Sequence, residues 1–200
     1  MKVALHPDDA LFITDVQRDF LPGGSLAVEH GEEVVPVLNE YIDLVRAAGL
    51  PVYACRDWHP RDHCSFRTRG GQWPEHCVAG TTGAAFAGGL RLPHDTVIVS
   101  KATTADAEAY SAFSGTDLAQ RLRDAGIKRL LVGGLTTDYC VLNTVLDALQ
   151  AGFDVLLLED AIRAVDVDAG DGEQARLSMH DAGAVPVRLA DIEPVTVPHG

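Results

Sequence analysis

Short apolar runs alternate with amphipathic segments along this 200-residue chain, and that alternation constrains its fold more than any other feature. ALFITD (10–15), PVYAC (51–55), TVIVSK (96–101), KRLLVGG (128–134), DVLLLED (154–160) and AVPVRLA (184–190) read as strands, the last of them at a sheet edge. Between them lie helical patterns. EEVVPVLNEYIDLVRAAG (32–49) places Val34, Leu38, Ile42 and Val45 at helical spacing, with Gly49 as a stop. DLAQRLRDAG (117–126), TDYCVLNTVLDALQAG (137–152) and GEQARLSMHDAG (172–183) follow, with Thr137 or Asp138 expected as the N-cap of the middle one. Strands that are continuously apolar, without polar alternation, belong to a parallel sheet covered on both faces.

The 46% hydrophobic content suits one globular domain over residues 1–200. A formal charge of −13 argues against nucleic acid or an anionic membrane as partner, since both are polyanions. MKVALHPDDA lacks the apolar core of a signal peptide, and no run reaches the roughly 18 apolar residues of a membrane span. A cytoplasmic location is the expectation, and a homo-oligomer is allowed. Cys55, Cys64, Cys77 and Cys140 are then expected as reduced thiols. None has the CxxC spacing of a zinc ribbon, so His and Asp are the better candidates for metal ligands.

Ligands of open parallel sheets gather outside the carboxyl ends of the strands. The first strand here ends in Asp15, the second leads to Asp57 and His59, the third ends in Lys101, and the fourth leads to Cys140. Taken singly, each has a bland role: a loop cap, a polar surface loop, a solvated strand end, a small core residue. Their arrival at one sheet edge favours chemistry. Cys140, in the first turn of its helix, would feel the positive end of the helix dipole, which predicts a lowered thiol pKa. Lys101 supplies a cation, and Asp15 a group that takes up the thiol proton and returns it. In RDWHPRDHC (56–64), Asp57 and His59 share one side of an extended segment, Pro60 turns the chain so that His63 comes back, and His76 stands across the long loop. One carboxylate with two or three imidazoles suits zinc, with iron or manganese as alternatives. The cysteines beside this set read as incidental.

DVQRDF (15–20), RDWHPRDHCSF (56–66), WPEHCVAGTTGAAF (73–86), SKATTADAEAYSAF (100–113) and GGLTTDYCV (133–141) together resemble the nicotinamidase/pyrazinamidase branch of the isochorismatase-like cysteine hydrolases. The resemblance runs from about residue 10 to 190. It implies a three-layer α/β/α fold around a doubly wound, mainly parallel six-stranded sheet. It also implies hydrolysis of nicotinamide, and of pyrazinamide, with one divalent metal ion. Cys140 would be the nucleophile, completed by Asp15 and Lys101. A cis peptide between Leu135 and Thr136 would aim the Thr136 and Cys140 N–H groups into an oxyanion hole. Asp57, His59 and His76 match shared metal ligands, and His63 a fourth found in some members. Phe20, Trp73 and Tyr110 match ring-pocket aromatics, with Leu135 and Tyr139 beside them. Arg18 and Ala102 depart from frequent family choices without touching a chemical role, and Tyr139, at a position variable in the family, bears on pocket width. Other amide hydrolases of the superfamily, or a non-catalytic ligand-binding member, are the alternative readings. A dinucleotide-binding dehydrogenase is disfavoured because the first strand runs into DVQRDF, not GxGxxG.

Overall fold

In the computed structural model, which describes residues 2–193, six strands form a single parallel sheet. They are β1 (Asp9–Thr14), β2 (Val52–Asp57), β3 (Val97–Lys101), β4 (Arg129–Leu135), β5 (Asp154–Arg163) and β6 (Val185–Val187). Their order is β3-β2-β1-β4-β5-β6, and every pairing is parallel. Parallel strands are joined by crossover connections, which place helices on the sheet faces. These are α1 (Val34–Ala47), α2 (Leu118–Asp124), α3 (Leu142–Gln150) and α4 (Asp171–Asp181).

Alternate residues of β1 sort the core into two layers. Leu11 and Ile13 join Leu38, Tyr41, Ile42 and Val45 of α1 on one face. Ala10 and Phe12 join Leu118 and Leu122 of α2, Val145 and Ala148 of α3, and Met179 of α4 on the other. Full burial of each large aliphatic side chain contributes about 1.5–3 kcal/mol, so the two layers hold the sheet as a rigid platform. Among the described residues, no helix is long and apolar enough to cross a membrane.

Two departures from the sequence reading matter. β5 runs on to Arg163, past the polar Glu159 and Asp160, because the pairing with β4 shifts between Val132 and Gly134. Asp160 is used in that irregularity: its carboxylate accepts from Tyr41 Oη (2.9 Å) and from the Leu189 N–H (2.8 Å). The segment 137–141 is a π-helical turn preceding α3, its N-cap is Thr136, and no side-chain cap is made. Neither Thr137 nor Asp138 caps the helix. Asp138 accepts instead from the N–H groups of Val165 (3.0 Å) and Asp166 (2.8 Å), fixing the loop after β5. Gly134 stands at φ +121°, and a Cβ there would run into the Thr14 backbone, so β1 and β4 approach as closely as they do only with glycine.

Candidate active site

Two strands, β1 and β3, end by turning sharply. Asp15 follows β1 at φ 45°, and Ala102 follows Lys101 at φ 51°. Cys77 follows His76 at φ 47°. Left-handed backbone at non-glycine residues is uncommon and clusters at working sites. Of the five such residues among those described, these three lie in or beside the residues singled out from the sequence. The peptide between Leu135 and Thr136 is cis.

Lys101 is at the centre. Its Nζ lies 2.5 Å from Asp57 Oδ1, 2.9 Å from Asp15 Oδ2 and 3.4 Å from Cys140 Sγ, and it donates to the Ala109 carbonyl at 3.2 Å. All four of Asp15, Asp57, Lys101 and Cys140 are buried. Burial would drive an isolated lysine toward its neutral form, but Asp15 and Asp57 override it and hold Lys101 well above the usual lysine range. Burial likewise raises Asp15 above the usual carboxylate range, against the pull of Lys101 and with Asp57 adding to it. Asp57 goes the other way: burial is outweighed by Lys101 and the two imidazoles, and its carboxyl is lowered.

The nucleophile candidate departs from the helix-dipole expectation. Burial, with Asp15 and Asp57 adding, pushes the Cys140 thiol well above its ordinary value although Lys101 opposes it. One cation shared by two carboxylates has no surplus charge for a thiolate. Burial and the two carboxylates favour the protonated sulfur, and Asp15 lies beside it.

Asp57, His59 and His76 each offer a donor atom within 4.8 Å of the others. Their chemistry fits a metal ion. The Nδ1 atoms of His59 and His76 face the backbone carbonyls of His76 (3.0 Å) and Pro74 (2.8 Å), which places the ring proton on Nδ1 and leaves the Nε2 lone pairs for an ion. Burial, reinforced by His76, pushes His59 down to about 4 despite Asp57, so the ring is neutral at pH 7. His63 packs against the His59 ring at 4.4 Å, yet its Nδ1 is paired with Ser65 Oγ (2.8 Å) and its Nε2 with the Ala107 carbonyl (3.1 Å). It groups with His59 and Glu108, not with Asp57 and His76.

Beside Cys140, Phe20, Trp73, His76, Tyr110 and Tyr139 line a small cavity of about 20 Å³, room for one water-sized body. Trp73 Nε1 donates to Tyr110 Oη at 3.0 Å, and the Tyr139 ring stands 5.0 Å from Trp73 and 5.3 Å from Tyr110. Thr136, Leu26 and Val165 complete the wall, whereas Leu135 is buried in the core against α1. A larger cavity of about 390 Å³ opens beside Arg163 and Arg176. It shares Val165 but holds neither the thiol nor the metal donors, so the chemistry belongs to the smaller one.

Three residues of the site carried no role in the sequence reading. Gln17, fully buried, accepts from the Asp57 N–H (2.8 Å) and donates to the carbonyls of Asp57 (2.8 Å) and Ala84 (2.9 Å), splinting the metal loop to β1. Asp19 Oδ2 accepts from the Cys77 N–H at 2.7 Å, fixing the residue after His76. Both stand in DVQRDF, where a buried amide and a second carboxylate were the available signal. Cys55, taken as incidental, sits 3.1 Å from Asp15 Oδ1 through its sulfur.

Residues 9–191 match the isochorismatase domain family. A nicotinamidase of Escherichia coli is 38% identical over 208 residues, covering 94% of this chain and 98% of that protein. The structure of a pyrazinamidase of Pyrococcus horikoshii in complex with zinc is 49% identical, with a TM-score of 0.88 over 92% of this chain and 100% of that one. PnC1 of L. infantum, solved in complex with nicotinate, is 37% identical, with a TM-score of 0.88 over 96% of this chain and 99% of that one. The parallel sheet, the residues at its carboxyl edge and these matches agree: this chain belongs to the isochorismatase domain family, on the side of its nicotinamidase and pyrazinamidase relatives.

Proposed function

We propose that this chain hydrolyses nicotinamide to nicotinate and ammonia through a thioester on Cys140, and accepts pyrazinamide as well. The observation that carries this reading is the buried contact of Lys101 with Asp15, Asp57 and Cys140, beside a donor set suited to a metal. The nicotinamidase relatives and the nicotinate-bound neighbour support the choice of substrate.

In this mechanism Asp15 accepts the thiol proton as Cys140 Sγ attacks the carboxamide carbon. A carboxylate raised by burial is a competent base for a thiol that stays protonated until then. Lys101 offsets the charge passing between them. The carbonyl oxygen becomes an oxyanion, for which the N–H groups of Thr136 and Cys140 are the assigned donors. As the C–N bond breaks, Asp15 returns the proton to the nitrogen, which leaves as ammonia. Water then attacks the thioester carbon, giving one proton to Asp15, which passes it to the departing sulfur, and the product leaves as nicotinate with water's second proton lost to solvent. Asp57, His59 and His76 would hold one divalent ion, zinc or alternatively iron or manganese, and bound there it supplies a coordination point for the pyridine nitrogen. His63 would join as a fourth ligand on giving up its bond to Ala107. Phe20, Trp73 and Tyr110 would hold the ring, with Tyr139 setting its width.

The test is ammonia release from nicotinamide by the purified protein and by Cys140→Ala. The substitution should lower kcat by at least about 10³-fold, since Cys140 is the one thiol lining the pocket among the described residues, while the melting temperature is retained. A kcat within about tenfold of wild type would remove Cys140 from the reaction.

A further inference from the structure

We propose that Cys55 is a positioning residue for the reaction: its thiol holds the Asp15 carboxylate in the orientation that meets Lys101 and Cys140. The proposal rests on the assignment of Asp15 as proton carrier made above. Thr14 and Cys55 are register partners across β1 and β2, so the next residue, Asp15, leaves β1 directly alongside Cys55. The Asp15 N–H donates to the Cys55 carbonyl at 3.2 Å. The side chains make a second grip, with the Cys55 S–H donating to Asp15 Oδ1 at 3.1 Å. Both residues are fully buried.

A carboxylate held by one oxygen can still turn about its χ2 torsion, which is broad and roughly two-fold. Lys101 engages Oδ2 at 2.9 Å, and Cys55 engages Oδ1. Together they fix the plane of the carboxylate and leave its Lys101-facing oxygen as the one available for the Cys140 proton. Cys55 does not line the pocket, so it touches no substrate and no bond to it forms or breaks. Its competing role is that of a small core residue, since it also packs in the layer with Phe12 and Val99. Packing and positioning predict different results for substitutions that keep or remove a donor.

The experiment is steady-state ammonia release from nicotinamide by the metal-loaded protein, with thermal melts, for Cys55→Ser, Cys55→Ala and Cys55→Val. Serine keeps a donor and should stay within about threefold of the wild-type kcat, as a hydroxyl replaces a weaker thiol donor. Alanine and valine should lower kcat by roughly 10- to 100-fold with KM nearly unchanged, the loss expected for one buried hydrogen bond to a charged group. If the alanine variant does not fold, the comparison of serine with valine carries the test. Donor-less variants with wild-type kcat and a lowered melting temperature would make Cys55 a packing residue and overturn the proposal. So would a serine variant as slow as the alanine and valine variants. Absence of ammonia release by the wild-type protein would overturn the reading of Asp15 itself, and with it this one.

Discussion

Replacing Lys101 by methionine strikes the group on which the site converges. Methionine preserves length and volume but removes the charge that Asp57 and Asp15 meet at 2.5 and 2.9 Å. Breaking a buried ion pair by deleting one partner costs about 3–5 kcal/mol, because a buried charge is left without compensation. One substitution here ends two pairs, but the carboxylates can share a proton, so the same range applies. At about 2–4 °C per kcal/mol for a chain of this size, the melting temperature should fall by roughly 6–20 °C. The pH dependence has a definite sign. In the wild type, Lys101 is held above its usual value, so its contribution is complete below about 10.4 and is lost only as pH rises through the higher folded value. In the variant both carboxyls lose their cation and move up, so the folded state favours their protonated form, and stability falls as pH climbs from the ordinary carboxylate range toward that raised value. The gap to wild type should therefore be wider at about pH 8 than at about pH 5. Melts on chelator-treated protein measure this without a metal ion compensating for Asp57, and ammonia release should be lost in parallel. An unchanged melting temperature, or a gap of equal size at both pH values, would refute the shared-cation account.

Removing His76 or His59 by alanine should lower metal content and activity together, read by elemental analysis of the purified variants; full metal occupancy in His76→Ala would break the assignment of the donor set. Benzamide keeps the ring and the carboxamide but lacks the pyridine nitrogen. Its kcat/KM should fall on the order of 10²-fold below that of nicotinamide, milder than the loss when a buried polar group is left without any partner, because water can take the vacant position. Pyrazinamide, which retains a nitrogen at that place, should remain a substrate, and equal turnover of benzamide would show that the ring nitrogen is not recognised.

The strand ends were legible because a buried parallel strand is a continuous apolar run, and the polar residue that stops it stands out. Asp15, Asp57, Lys101 and Cys140 were found this way, and the sheet brings them together. What stayed hidden depends on lateral register. Cys55 meets Asp15 only because Thr14 pairs with it, and no one-dimensional pattern states which residues face each other across two strands. Glu159 and Asp160 look like the end of β5, but the strand continues through a register shift that the local pattern does not encode. Asp138 has the composition of a cap and the location of one, yet the π turn leaves its carboxylate to the loop at Val165 and Asp166. The thiol's raised pKa was missed for a similar reason. A dipole argument uses only the helix, whereas burial and the two nearby carboxylates come from elsewhere in the fold.

Lys101 arrives on β3, an outer strand of five residues with a single neighbour and an exposed Ile98. Outer strands open in local fluctuations that leave the centre of a sheet intact, at a free energy below that of global unfolding. The other partners of the cluster sit on strands flanked on both sides, β1, β2 and β4, or in turns continuing from them. Detachment of β3 would withdraw the cation while the thiol and both carboxylates stay in place. Amide exchange at Val97–Lys101 would then run ahead of exchange in β1 and β4. The working lifetime of the enzyme on heating would follow the peeling of that one strand, and turnover would fail before the optical signals of the folded core begin to change.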